Sequence, residues 1–197
     1  MRQLTVIEFV TLDGVMRGPG SPDEDRVGDF TRGGWGAPYG DHVQQEVAPE
    51  GMQTTTAYLF GRRTYEKMLS FRPQRPDADP MAAHLNAAPE YVATRTPEDA
   101  QPTWSNSRML SGDLEAGVRA LKAKAEGEGT VAALGSGVLV QQLAALDLVD
   151  GYRLFLHPLP LGTGKGLFGE LDHPRPLRLL SAEPTSTGVV MLSYQCP

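Results

Sequence analysis

Branched and aromatic residues gather over residues 4–12 and stop at Asp13-Gly14, so the pattern predicts a first strand closed by a turn. Over residues 17–40 Gly, Pro and Asp break up the apolar runs, which predicts a long loop of the kind that folds over sites. A polar helical stretch is expected over 41–55, a strand over 56–60 and a helix over 62–69. The Pro- and Arg-rich residues 71–79 read as loop, 80–86 as a short helix and 91–94 as a short strand. Leu114, Val118 and Leu121 share one face of a helix expected over 113–126, with Asp113 as its N-cap. A strand over 130–134, a helix over 136–146, a strand over 149–157 and a loop over 158–166 follow. Two apolar runs, 177–182 and 189–195, flank Glu183-Pro184-Thr185-Ser186-Thr187-Gly188 and predict a closing antiparallel hairpin. Strands alternating with helices and then a hairpin imply an α/β fold, with a mostly parallel sheet and an antiparallel edge. One domain over residues 1–197 is expected, with no repeat and no linker.

Two glycine-marked turns carry the chemistry. One is Phe60-Gly61-Arg62-Arg63-Thr64, the other Leu134-Gly135-Ser136-Gly137-Val138-Leu139. Each runs from a short apolar strand into a helix start, where unpaired N–H groups and the positive dipole end suit phosphate. Glycine lets a ligand approach the backbone. Taken alone, Gly135-Ser136-Gly137 is a fragment of a dinucleotide fingerprint and reads equally as a tight turn with Ser136 as N-cap. Arg62 and Arg63 are more specific, because cations at a helix start oppose its dipole unless an anion lies between them.

Composition narrows the function. The chain has 197 residues, 40% hydrophobic and 21% charged, with formal net charge -6. A broad nucleic-acid or anionic-membrane surface is therefore not expected, and an anion site has to be built from local donors. The single cysteine, Cys196, excludes a disulfide framework within the chain and fits a reducing compartment. The N-terminal residues lack the apolar run of a signal peptide and no segment reaches transmembrane length, so a cytoplasmic protein is expected.

Other motifs fail on inspection. Gly162-Thr163-Gly164-Lys165-Gly166 resembles a P-loop only superficially, since Leu159 stands where the first glycine belongs and Gly166 follows the lysine. It reads as a mobile glycine turn. His42, His84, His157 and His173 show no ligand spacing, so no metal site is expected. Ser136 has no glycine two residues before it and is not a nucleophile elbow. Trp35 and Tyr39 either staple the long loop or stack on a flat ligand. Asp13, Glu46 and Glu50 are candidates for proton transfer, against solvation for the two glutamates and turn-shaping for Asp13.

In order along the chain stand Thr11-Leu12-Asp13-Gly14, Leu59-Phe60-Gly61-Arg62-Arg63-Thr64-Tyr65-Glu66, Tyr91-Val92-Ala93-Thr94-Arg95, Leu134-Gly135-Ser136-Gly137 and a run from His157 to Phe168. This ordered set resembles the dihydrofolate-reductase-like proteins related to the reductase domain of riboflavin biosynthesis, over nearly the whole chain. The resemblance implies an α/β, three-layer α/β/α fold with a mixed, mostly parallel sheet and a C-terminal antiparallel hairpin. It implies NADPH as hydride donor. Gly61, Arg62, Arg63 and Thr64 would meet cofactor phosphates, Thr94 and Arg95 the adenosine phosphate, and Gly135, Ser136, Gly137, Val138 and Leu139 the pyrophosphate. Asp13, Gly14 and Val15 would lie near the nicotinamide; Asp13 and Glu46 are the catalytic candidates, with water or Glu46 as the proton donor. Trp35 and Tyr39 are the substrate-side candidates. The expected activity is reduction of a small heterocyclic (pterin- or pyrimidine-like) or carbonyl substrate by hydride transfer, with an NADPH-binding module without turnover as the alternative. A reductase without the deaminase domain that accompanies it in many riboflavin-pathway proteins is expected. The resemblance, together with apolar strands near the C-terminal edge that need covering, predicts a homodimer.

Overall fold

A computed structural model describes residues 1–25, 27–40, 52–71, 80–96, 104–123 and 129–197. Strands β1 (Gln3–Thr11), β2 (Thr55–Gly61), β3 (Glu90–Ala93), β4 (Ser107–Leu110), β5 (Thr130–Leu134), β6 (Gly151–His157), β7 (Arg178–Pro184) and β8 (Val190–Gln195) form one eight-stranded sheet in the order β4-β3-β2-β5-β1-β6-β8-β7. The pairs from β4 through β6 are parallel, whereas β8 runs antiparallel to both β6 and β7. The four described α-helices are α1 (Arg62–Phe71), α2 (Pro80–Ala87), α3 (Leu114–Ala123) and α4 (Gly137–Ala145).

β1 lies between two parallel neighbours, and its side chains alternate between the two sheet faces. Leu4, Val6 and Val10 pack with Val118 and Leu121 of α3 and Leu139, Val140 and Leu143 of α4. Ile7 faces the other way, beside Phe60, Tyr65 and Leu85 under α1 and α2. The sheet is thus the middle layer of three. α3 begins as its sequence predicts, with the Ala116 N–H donating to Asp113 Oδ1 at 2.7 Å.

The strands and helices expected from the pattern are present, with ends shifted by a few residues. The pattern does not reveal β4. Its Ser-Arg-Met-Leu is too short and too polar to stand out, and it pairs only with β3 at the sheet edge. The helix expected over 41–55 and the loop over 71–79 lie mostly outside the described residues, as do Glu46 and Glu50.

Candidate active site

β2 and β5 are adjacent and parallel, so the glycine turns at their carboxyl ends sit side by side although their residues are far apart in the chain. The two turns are tied together. Ser136 Oγ accepts the Gly61 N–H at 2.8 Å and donates to Thr64 Oγ1 at 2.8 Å, while Thr64 Oγ1 donates to the Gly135 carbonyl at 2.8 Å. Ser136 stands at the N-cap position of α4, but its hydroxyl makes no cap bond because this clamp uses it. Gly135 holds φ +59, and a side chain there would meet Thr64 Cγ2 at 3.2 Å. The helical ladder of α4 starts with Val140 N–H donating to the Ser136 carbonyl, so the N–H groups of Gly137, Val138 and Leu139 lie ahead of it.

These turns open on a cleft of about 1410 Å³ lined by Gly61, Arg62, Arg63, Thr64, Thr94, Arg95 and residues 135–139. Of the residues expected to meet the cofactor, those from Gly61 onward therefore share one surface, whereas Asp13, Gly14 and Val15 do not line it. Val15 is buried among Phe30, Trp35 and Leu161, and its neighbour Met16 lines the cleft instead. Arg62 is partly committed within the chain. Its Nε meets Glu66 Oε1 at 2.7 Å, and its Nη1 meets Thr96 Oγ1 at 2.9 Å. Arg63 and Arg95 are exposed and make no hydrogen bond or ion pair with a described residue.

Asp13 is engaged by donors of its own loops. Its carboxylate accepts Thr11 Oγ1–H at 2.5 Å, the Leu161 N–H at 3.0 and 3.1 Å and the Gly162 N–H at 2.5 Å. The Thr11 hydroxyl foremost, and then these two amides, lower its pKa to about 2, so it is ionised at neutral pH. It binds the loop after β1 to the 158–166 loop. Met16 N–H donates to the Lys165 carbonyl at 3.0 Å, Leu167 N–H to the Gly14 carbonyl at 3.0 Å, and Val15 bridges Gly166. The glycine run expected to be a mobile turn is thus zipped to the cleft rim, where it presents Lys165.

Trp35 and Tyr39 meet His157 edge-on at 5.0 and 5.2 Å, and the Trp35 indole N–H donates to the Arg17 carbonyl at 2.7 Å. Neither lines the cleft; both staple the long loop to the end of β6. His157 is buried, its Nδ1–H donating to the Phe155 carbonyl at 2.9 Å, and burial lowers its pKa so that it stays neutral.

Sequence reading missed Glu8. It occupies a buried register position of β1 between Val6 and Val10, yet it lines the cleft and accepts the Ser136 N–H on Oε1 at 3.1 Å. Desolvation raises its pKa to about 8 despite opposing hydrogen bonds from Ser136 and Gly135, so at neutral pH it is mostly a neutral acid. The signal was legible, since a lone carboxylate in a strand of apolar residues is expensive unless it is used. Among the described residues no group of three or more His, Cys, Asp or Glu is arranged to hold a metal ion, and no helix is long and apolar enough to cross a membrane.

Residues 2–191 match the family model of the RibD C-terminal domain. The chain is 29% identical over 141 residues to the uncharacterized protein YyaP of Bacillus subtilis, covering 69% of this chain and 71% of that one. Among solved structures it is similar to a putative riboflavin biosynthesis protein from Shewanella sp. PV-4, with TM-score 0.70 and 21% identity over 99% of both chains. It also resembles a pyrimidine reductase-like protein of Corynebacterium diphtheriae, with TM-score 0.65 and 12% identity over 100% of this chain and 92% of that one. Dihydrofolate reductase from Enterococcus faecalis, complexed with NADP(H), aligns with TM-score 0.59 and 17% identity over 98% and 96% of the two chains. The mostly parallel sheet, its antiparallel β6-β8-β7 end and the match along nearly the whole sequence make this chain a member of the RibD C-terminal domain family, with the dihydrofolate-reductase-like fold.

Proposed function

We propose that this protein is an NADPH-dependent reductase of a small heterocyclic, pterin- or pyrimidine-like, or carbonyl substrate. The observation that carries the reading is the clamped pair of glycine turns. They present the N–H groups of Gly137, Val138 and Leu139, together with Arg63 and Arg95, to a single cleft large enough for a dinucleotide and a second molecule. The fold and family support it, as does the NADP(H) complex of the Enterococcus faecalis enzyme.

The residues present suit the cofactor. Gly137 lets Met16 pack directly on the start of α4, since a Cβ there would stand 2.8 Å from Met16 Sδ. The start of α4, Arg63 and Arg95 would hold the cofactor's phosphates, with Lys165 lining the cleft near Gly137. When bound, NADPH supplies the hydride. The chain's own contribution is positioning and water exclusion. The Ser136–Thr64 clamp fixes the spacing of the turns, and Met16, Ile7 and Phe9 add apolar lining to the cleft. Glu8 holds its proton at neutral pH beside the Ser136 turn.

The protein functions in this reading as a homodimer in the cytoplasm. β7 is a sheet edge whose Leu179 and Leu180 are 52% and 56% exposed, a surface that a second copy would cover. The activity is tested by following NADPH absorbance across a panel of pterins, pyrimidines, quinones and simple carbonyls. Substrate-dependent oxidation is expected. Tight NADPH binding without oxidation of any panel member would favour a sensing module.

A further inference from the structure

We propose that the substrate of this cleft is a flat heterocycle bearing one carboxylate, and that Arg153 is the residue that receives it. The proposal rests on reading the cleft as the place where cofactor and substrate meet. Arg153 lies in β6, where it pairs with Ile7 of β1 and Ser193 of β8. It shares its sheet face with Phe155, two residues on, which stacks on Phe9 with centroids 4.9 Å apart. Ile7, Phe9, Arg153 and Phe155 all line the cleft. This wall is therefore aromatic and aliphatic apart from one guanidinium.

Arg153 as a residue is half-buried, and its guanidinium makes no hydrogen bond or ion pair with any described residue. The other cations nearby are accounted for differently. Arg62 is paired with Glu66, Arg17 with Asp25, and Lys67 with the Glu24 carbonyl. Arg63 and Arg95 belong to the phosphate turn. A guanidinium set into an apolar wall, with no partner among the described residues, keeps its donors open to a ligand anion. One planar fork, with no second cation beside it on that wall, matches a singly charged planar carboxylate rather than a phosphate dianion. The stacked Phe9 and Phe155 rings beside it suit the flat body of such a ligand.

The test is calorimetric titration of the NADPH-loaded protein with matched acid and neutral pairs: pterin-6-carboxylate and pterin, orotate and uracil, quinoline-2-carboxylate and quinoline. In at least one pair the acid is expected to bind about ten- to a hundredfold more tightly than its neutral mate, the factor of a charge-assisted hydrogen bond. Arg153→Met should erase that gap and Arg153→Lys retain part of it, with NADPH affinity and melting temperature close to those of the unmodified protein. No gap in any pair overturns the proposal. So does a gap that survives in Arg153→Met, or one that disappears instead with Lys165→Met. If the protein fails to bind NADPH, the cofactor reading falls, and the same titrations on the free protein still decide the role of Arg153.

Discussion

Replacing Glu8 by Gln should make the protein more stable at neutral and alkaline pH. The carboxyl is 3% exposed and its pKa rises from 4.5 to about 8 on folding. Below pH 4.5 both folded and unfolded chains hold the proton, and the group carries no pH-dependent penalty. Between 4.5 and about 8 the unfolded chain releases the proton while the folded chain keeps it, so stability falls as pH rises through that window. Above it the loss is complete. At about 1.4 kcal/mol for each tenfold change in proton affinity, the full loss is on the order of 4–5 kcal/mol. Gln carries no such penalty, and its carbonyl oxygen can still accept the Ser136 N–H that Glu8 Oε1 accepts at 3.1 Å. Urea unfolding of both proteins from pH 5 to 9 reads the difference directly. The gap in favour of Glu8→Gln should widen from pH 5 to 8 and then level off, whatever other groups titrate in common. A gap that stays constant over that range would show that Glu8 ionises normally and would refute the reasoning.

Further consequences follow from the clamp and the loops. Ser136→Ala strips the Gly61 N–H of its acceptor and should cost about 1–3 kcal/mol, read by thermal unfolding, with weaker NADPH binding. Asp13→Asn should leave the sheet intact but raise amide exchange at Leu161 and Gly162, because a neutral amide replaces the carboxylate they bind. In the unmodified protein those amides should lose protection only in strong acid, as pH falls from 3.8 through about 2. Trp35→Ala should lower the melting temperature by exposing His157, yet leave saturation by substrate unchanged, since its ring lies outside the cleft. A changed KM with an unchanged melting temperature would place Trp35 at the substrate instead.

Local pattern carries much of the architecture, because β1, β2, β5 and β6 are largely apolar runs that give way at or shortly before Gly, Pro or Asp, and the helix after Asp113 carries its own cap. Sequence also identifies the two turns, since Gly61 and Gly135 stand where strand gives way to helix. The clamp between them is not legible, because Ser136 and Thr64 meet only when β2 and β5 pair. Ser136 looks like a cap on local grounds, and a long-range partner outcompetes that role. Arg62 looks like a phosphate contact, although Glu66 one turn later was a readable partner. Val15 and Met16 are neighbours and both are buried, but they pack into different clusters and only Met16 lines the cleft. Glu8 and Arg153 each place a charge in a largely apolar strand, which marks them in the sequence, but the faces they occupy are set by the neighbouring strands.

The most direct measurement is a titration of NADPH and NADH into the unmodified protein and into Arg63→Ala and Arg95→Ala. The chain is acidic overall, with net charge -6, so phosphate affinity has to come from local donors. NADPH should bind more tightly than NADH, and one of the two substitutions should weaken NADPH by about ten- to a hundredfold while leaving NADH nearly unchanged. Equal affinity for the two nucleotides, or binding of neither, would contradict the account.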